Sequence, residues 1–200
     1  MTTDTFVGAT IRAQDFPPAK WASEATAQID ITSTSFVAGS PSCELTFVAP
    51  TSGEVLIFVG GGVRDSAGNR VHIAPEVRVG TVAGAVQLAA DVTTRGIGSS
   101  TTSTNYEYYS RITLLTGLTA GTTYYARTMQ KVSGGTTGDI AIRDIGVIPT
   151  PMGGNFAGKR VKGLDYPPAA WSQDTTAINN PTSATYIAGT PEVSVTFNGP

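Results

Sequence analysis

Apolar and polar residues alternate with a period of two along much of the chain. In Cys43-Glu44-Leu45-Thr46-Phe47 every second residue is apolar, which gives a strand one buried and one wet face. The run Glu54-Val55-Leu56-Ile57-Phe58-Val59 is apolar on both faces and predicts a central strand. Val71, Ile73, Val77 and Val79 continue the alternation with Pro75 between them. Proline lacks a ladder donor, so an edge or a bulge is expected there. Further strands are expected at 85–90, 106–115, 122–132 and 139–148. In the last, Ile140 and Ile142 share one phase and Ile145 and Val147 the other, which predicts a β-bulge at Asp144. Helical periodicity is nearly missing. The pattern predicts an all-β fold, an antiparallel β-sandwich, with Leu45, Phe47, Val55, Ile57, Val59, Leu114, Tyr124 and Ile142 in its core.

The chain also repeats itself. Residues 165–200 align without gaps on residues 15–50 at an offset of 150, with 15 of 36 positions identical. A repeat of that length has the size of a domain. It divides the chain into a Pro- and Trp-containing segment (1–34), a β-sandwich (35–149), a linker repeating the first segment (150–171) and the start of an incomplete second sandwich (172–200). The prolines of Asp15-Phe16-Pro17-Pro18 make the stretch up to Trp21 extended and keep it outside any sheet. Phe16, Pro17 and Trp21, with their counterparts Tyr166, Pro167 and Trp171, are candidate interface residues. Val193, Val195 and Phe197 repeat the phase of Cys43, Leu45 and Phe47. That strand needs a partner, either a completed second sandwich or a sheet edge of another subunit.

Composition narrows the function. The 30 threonines and 23 glycines suit strands and turns. With 13 basic and 15 acidic residues, the chain has no basic stripe for nucleic acid and no cationic amphipathic face for a membrane. The amino terminus lacks the charged-then-apolar pattern of a signal peptide. The single cysteine, Cys43, excludes an intrachain disulfide and reads as a small core hydrophobe, since its counterpart is Val193. His72, the lone histidine, has no partner type for a zinc site and reads as a solvent-facing or satisfied strand residue. Asp65, Asp139 and Asp144 read as turn caps and surface pairs, with calcium binding at one end of the sandwich as the alternative. Gly60-Gly61-Gly62 and Gly134-Gly135-Thr136-Thr137-Gly138 lack the Lys-Ser/Thr of a phosphate loop and read as hairpin connections. No catalytic, cofactor or metal residues are assigned, and an enzyme is not expected. The candidate binding loop is the polar stretch 95–105 leading into tyrosines, with Arg95, Ser99, Thr101, Asn105, Tyr106 and Tyr108 as its residues.

Two resemblances add to this. Leu115-Thr116-Gly117-Leu118-Thr119-Ala120-Gly121-Thr122-Thr123-Tyr124 resembles the turn of fibronectin type III-like domains in which a tyrosine fixes the corner; a jelly roll fits the strand pattern equally. The strings APTSGEVLIFVGGGVRD, YYARTMQKVSGGTTGDIAIRD and NPTSATYIAGTPEVSVTF resemble tail-fibre and minor tail proteins of phages infecting actinobacteria. The opening Phe6-Val7-Gly8-Ala9-Thr10-Ile11, followed by Asp15, is similar to the start of phage tail and fibre proteins. This resemblance implies a virion structural protein, a tail fibre, minor tail or decoration component made in the host cytoplasm. Its partners would be itself as a homotrimer, other virion proteins and a host-surface glycan. A carbohydrate-binding module or adhesin is the alternative, and a fibre-borne glycan hydrolase a third.

Overall fold

The structure, a computed structural model, describes residues 17–99, 104–135 and 138–150, together with Glu192, Ser194 and Thr196. The described strands lie in the first of two units, Met1–Gly158. They are β1 Lys20–Glu24, β2 Gln28–Ile31, β3 Val37–Ala38, β4 Glu44–Val48, β5 Val55–Asp65, β6 Val71–Val79, β7 Val86–Leu88, β8 Ile97–Gly98, β9 Glu107–Leu115, β10 Thr123–Val132 and β11 Gly138–Pro149. One helical turn, α1 Val92–Arg95, is capped by Asp91, whose carboxylate accepts from Thr94 N at 2.7 Å.

Two antiparallel sheets result. The first runs β1-β11-β5-β9, with β2 also paired to β11. The second runs β3-β10-β6-β7, with β4 also on β10 and β8 also on β6. This is the expected all-β sandwich. The tyrosine corner is present as well: Thr119 N donates to the Tyr124 hydroxyl at 3.0 Å, and the Tyr124 ring stacks on Phe47 at 5.6 Å.

The sandwich begins earlier than residue 35. β1 pairs along β11 from Lys20↔Val147 to Glu24↔Arg143, so Trp21 belongs to the first sheet. This proline run ends at Pro18, and from Ala19 to the end of β1 every residue again has an N–H to give the ladder. β6 is no edge strand, but the alternative expectation of a bulge has a counterpart, since its pairing with β7 shifts register between Val77 and Arg78. Thr128 N donates to Cys43 O, so the facing pair Thr128↔Pro75 makes no hydrogen bonds. The Pro75 nitrogen therefore points to the other side, into the gap between β8, opposite Ile73, and β7, opposite Val77. A proline costs nothing where no acceptor waits.

Gly60-Gly61-Gly62 is not a hairpin connection but the middle of β5, paired on both sides. The bulge of β11 lies between Ile140 and Ile142, not at Asp144. One extra residue reverses the phase. Ile140, Arg143, Ile145 and Val147 then face inward, and Ile142 turns to the outer face, only partly buried. Leu114 is likewise no core residue, being 55% exposed.

The interior has two apolar clusters. One gathers Phe47, Val55, Ile57, Tyr124, Ile145 and Val147, and the other Val59, Val63, Val71, Ile73, Val132 and Ile140. Between them lies a polar level. Arg143 is fully buried, and its Nη2 donates to Pro41 O at 3.0 Å. An added Cβ on Gly39 would sit 3.0 Å from its Cζ, so glycine clears the space for the guanidinium. His72 is buried, not solvent-facing, with Gly98 of β8 against its ring. Burial lowers its pKa, with the cations Lys131 and Arg70 adding to the effect.

Candidate functional site

The two outer faces of the sandwich differ. On the second sheet, Glu76 accepts from Arg78 and Arg127, each ion pair at 2.8 Å, and Tyr125 donates to Glu44. Burial alone would raise the Glu76 carboxyl, but the arginine hydrogen bonds outweigh it and hold the group below the ordinary carboxylate range. That face closes its own charges. The Tyr125 hydrogen bond likewise lowers the Glu44 carboxyl.

The outer face of the first sheet carries apolar groups in rows set by the strand register. Trp21, Gly146, Phe58 and Ile112 stand side by side across β1, β11, β5 and β9. The next row is Ile148, Leu56 and Leu114; on the other side come Asp144, Gly60 and Ser110, then Ile142, Gly62 and Tyr108. Trp21 is 57% exposed, Ile112 57%, Leu114 55% and Tyr108 67%, so the patch is open to solvent. Apolar surface gathered in this way on one sheet is a signature of a contact surface.

The glycines shape this face. Gly60, Gly62 and Gly146 point outward with no side chain, and a ring lies over each: Phe58 over Gly60, Tyr108 over Gly62 and Trp21 over Gly146. Trp21 and Phe58 also contact each other, centroids 4.7 Å apart. Between the rings opens a shallow cleft of about 230 Å³, lined by Phe58, Gly60, Tyr108, Ser110, Ile142 and Asp144 among others. Flat rings beside a hydroxyl and a carboxylate can stack on an apolar ring face and accept hydrogen bonds at its rim.

The residues expected in the binding loop are dispersed. Arg95 ends α1 and donates to Ala89 O at 2.6 Å. Ser99 is buried, its hydroxyl accepting from Val71 N at 3.0 Å, so it fastens β8 to β6. Asn105 is exposed, and Thr101 lies outside the described residues. Tyr106 and Tyr108 do reach the outer face: Arg64 sits 4.5 Å over the Tyr106 ring and is paired with Asp139 at 2.8 Å. Of the candidate interface residues, Trp21 is on the face and Pro17 is buried; Phe16, Tyr166, Pro167 and Trp171 lie outside the described residues. Asp65 caps its turn, accepting from Ala67 N at 2.8 Å and Asn69 N at 3.2 Å. Among the described residues no three His, Cys, Asp or Glu side chains are grouped to hold a metal ion, and no helix is long and apolar enough to cross a membrane.

No protein-family model matches the chain, and no curated protein matches it at a significant level. Leu56, Phe58, Ile112 and Leu114 are the contributors to the face that the strand pattern had not marked as a surface. The signal was present in β9, where Tyr108, Ile112 and Leu114 share one face and Glu107, Arg111 and Thr113 fall on the other with Tyr109 and the buried Leu115.

Proposed function

We propose that this protein is a structural β-sandwich of a virion, a tail-fibre, minor tail or decoration component, which makes its attachments through the outer face of its first sheet. The observation that carries the reading is the inversion of β9. Tyr108, Ile112 and Leu114 point to solvent, while Arg111 lies on the other side and donates to the carbonyls of Thr93 and Gly96. A strand that ties its cation to backbone carbonyls and shows large apolar residues to solvent is built to be covered. The resemblance to phage tail proteins and the repeated segment support the same reading.

A second reading has its own observation. The cleft sets the Phe58 and Tyr108 rings beside Ser110 and Asp144, an arrangement suited to one saccharide ring, as in a carbohydrate-binding module or adhesin.

Adsorption competition tests the proposal. Purified chain, added to host cells before infection, should slow adsorption of the phage that encodes it. The Trp21→Ala/Tyr108→Ala variant should not, while circular dichroism shows it folded at the assay temperature. Equal competition by both proteins, or by neither, would remove the face from the mechanism.

A further inference from the structure

β9 is nine residues long and, among the described residues, pairs only with β5. Exposed edges of that length are usually guarded by proline, lysine, a bulge or a charge leaning outward. β9 contains no proline or lysine, and its pairing with β5 runs without a register shift. Its one cation, Arg111, is drawn to the Thr93 and Gly96 carbonyls at 3.2 and 3.3 Å. Among the described residues, only the short α1–β8 stretch that carries those carbonyls lies against it.

The outer face of this edge reads Tyr106, Tyr108, Ser110, Ile112, Leu114, with the small residue at the centre and large apolar residues placed symmetrically on either side. We infer that β9 pairs antiparallel with β9 of a second copy of this chain, centred on Ser110. In that register Tyr108 faces Ile112 of the second copy, and Tyr106 faces its Leu114. Each pair occurs twice, and the two serines meet at the axis. Aromatic side chains opposite β-branched or aliphatic ones are favourable cross-strand pairs. Shifting the centre by one residue sets Ser110 against Tyr108 in one direction and against Ile112 in the other, and loses the symmetric match.

Pairing of a strand with itself in this sense generates a twofold axis normal to the sheet, an isologous contact that closes at two chains. The axis places both apolar faces on the same side of one continuous sheet. Two attachment surfaces held rigidly side by side bind a repetitive target with the gain of bivalency. The pairing rests on β9 alone, so its failure would leave the virion reading standing. It is twofold, where the family resemblance implies threefold symmetry.

Sedimentation equilibrium of the full chain decides it. At tens of micromolar the wild type should have twice the 20.7 kDa chain mass. Tyr108→Lys and Ile112→Glu should each weaken the dimer about tenfold or more, since each sets a charge against an apolar partner. The double variant should recover most of the loss, because the introduced lysine then faces the introduced glutamate of the other copy, twice across the axis. Within one strand these positions are four residues apart, too far to pair internally. Circular dichroism melts confirm that all three variants fold. A monomeric wild type, a mass of three chains, or a double variant weaker than either single one would each overturn the pairing.

Discussion

Replacing Phe47 with alanine tests the sandwich at the point where its two sheets meet. The ring is 3% exposed, stacks on Tyr124 at 5.6 Å, and belongs to the cluster that includes Val55, Ile57 and Val147. Removing a buried phenyl group costs about 3–5 kcal/mol, the transfer of the ring plus the cavity it leaves. The stack on Tyr124 accounts for about 0.5–1.5 kcal/mol of that. Collapse of the site is restricted, because the Tyr124 hydroxyl is tied to Thr119 N and the ring cannot swing into the space. The expected loss is therefore about 4 kcal/mol, in the upper half of the range. For a domain of this size that lowers the melting temperature by roughly 12–16 °C. Urea denaturation followed by circular dichroism measures it, with an unchanged m-value confirming two-state unfolding. Val48 is the matched control: it is the next residue, 41% exposed, and Val48→Ala should change stability by less than about 0.5 kcal/mol. A Phe47→Ala loss under about 1 kcal/mol, or a larger loss at Val48, would show that β4 faces the other way.

Three further outcomes follow from the interior. Arg143 keeps Nε and Nη1 without hydrogen-bond partners in a buried setting, so Arg143→Met should be neutral or stabilise by about 1–2 kcal/mol; a loss above about 2 kcal/mol in urea melts would refute that. The Cys43 thiol is pushed up to about 11 by burial, so a thiol reagent at pH 8 should label it only at the rate of unfolding. Complete labelling of the native protein within minutes would contradict this. Stability should also fall on acidification. His72, lowered by burial, contributes fully above its unfolded pKa of about 6.5 and loses that contribution as pH falls toward its folded value. Glu76, held low by Arg78 and Arg127, adds a loss only below its ordinary value of 4.5. His72→Asn should flatten the melting temperature between pH 7 and about 5, and an unchanged slope would rule His72 out.

Much of the fold was legible because the side-chain period of a strand is two. Alternation placed β4, the apolar half of β5, β6, β9, β10 and β11 within a few residues of where they lie. The errors have physical causes. A bulge at Ala141 reverses everything after it, so Ile142 faces outward and the interior receives Arg143, a residue that pattern alone assigns to the surface. Glycine in mid-strand reads as punctuation, yet Gly60 and Gly62 are cleared for aromatic rings and Gly61 for Ile73. Leu114 was assigned to the core because it is apolar and alternates correctly. Its alternation is real, but α1 and its C-cap Gly96 supply polar partners for Arg111 on the other side, and Leu114 is left outside. The candidate site was hardest to read for that reason. It arises from four strands distant in sequence, and only their register brings Trp21, Phe58 and Ile112 into one row.

Immunogold electron microscopy of purified virions tests the central claim most directly. On the proposed virion reading, an antibody against the purified chain should decorate the surface of intact phage particles, at a fixed site on the tail or capsid. Preadsorbing the antibody with the chain should abolish the label. Particles that stay unlabelled, while the lysate from which they were purified contains the protein, would contradict a virion role.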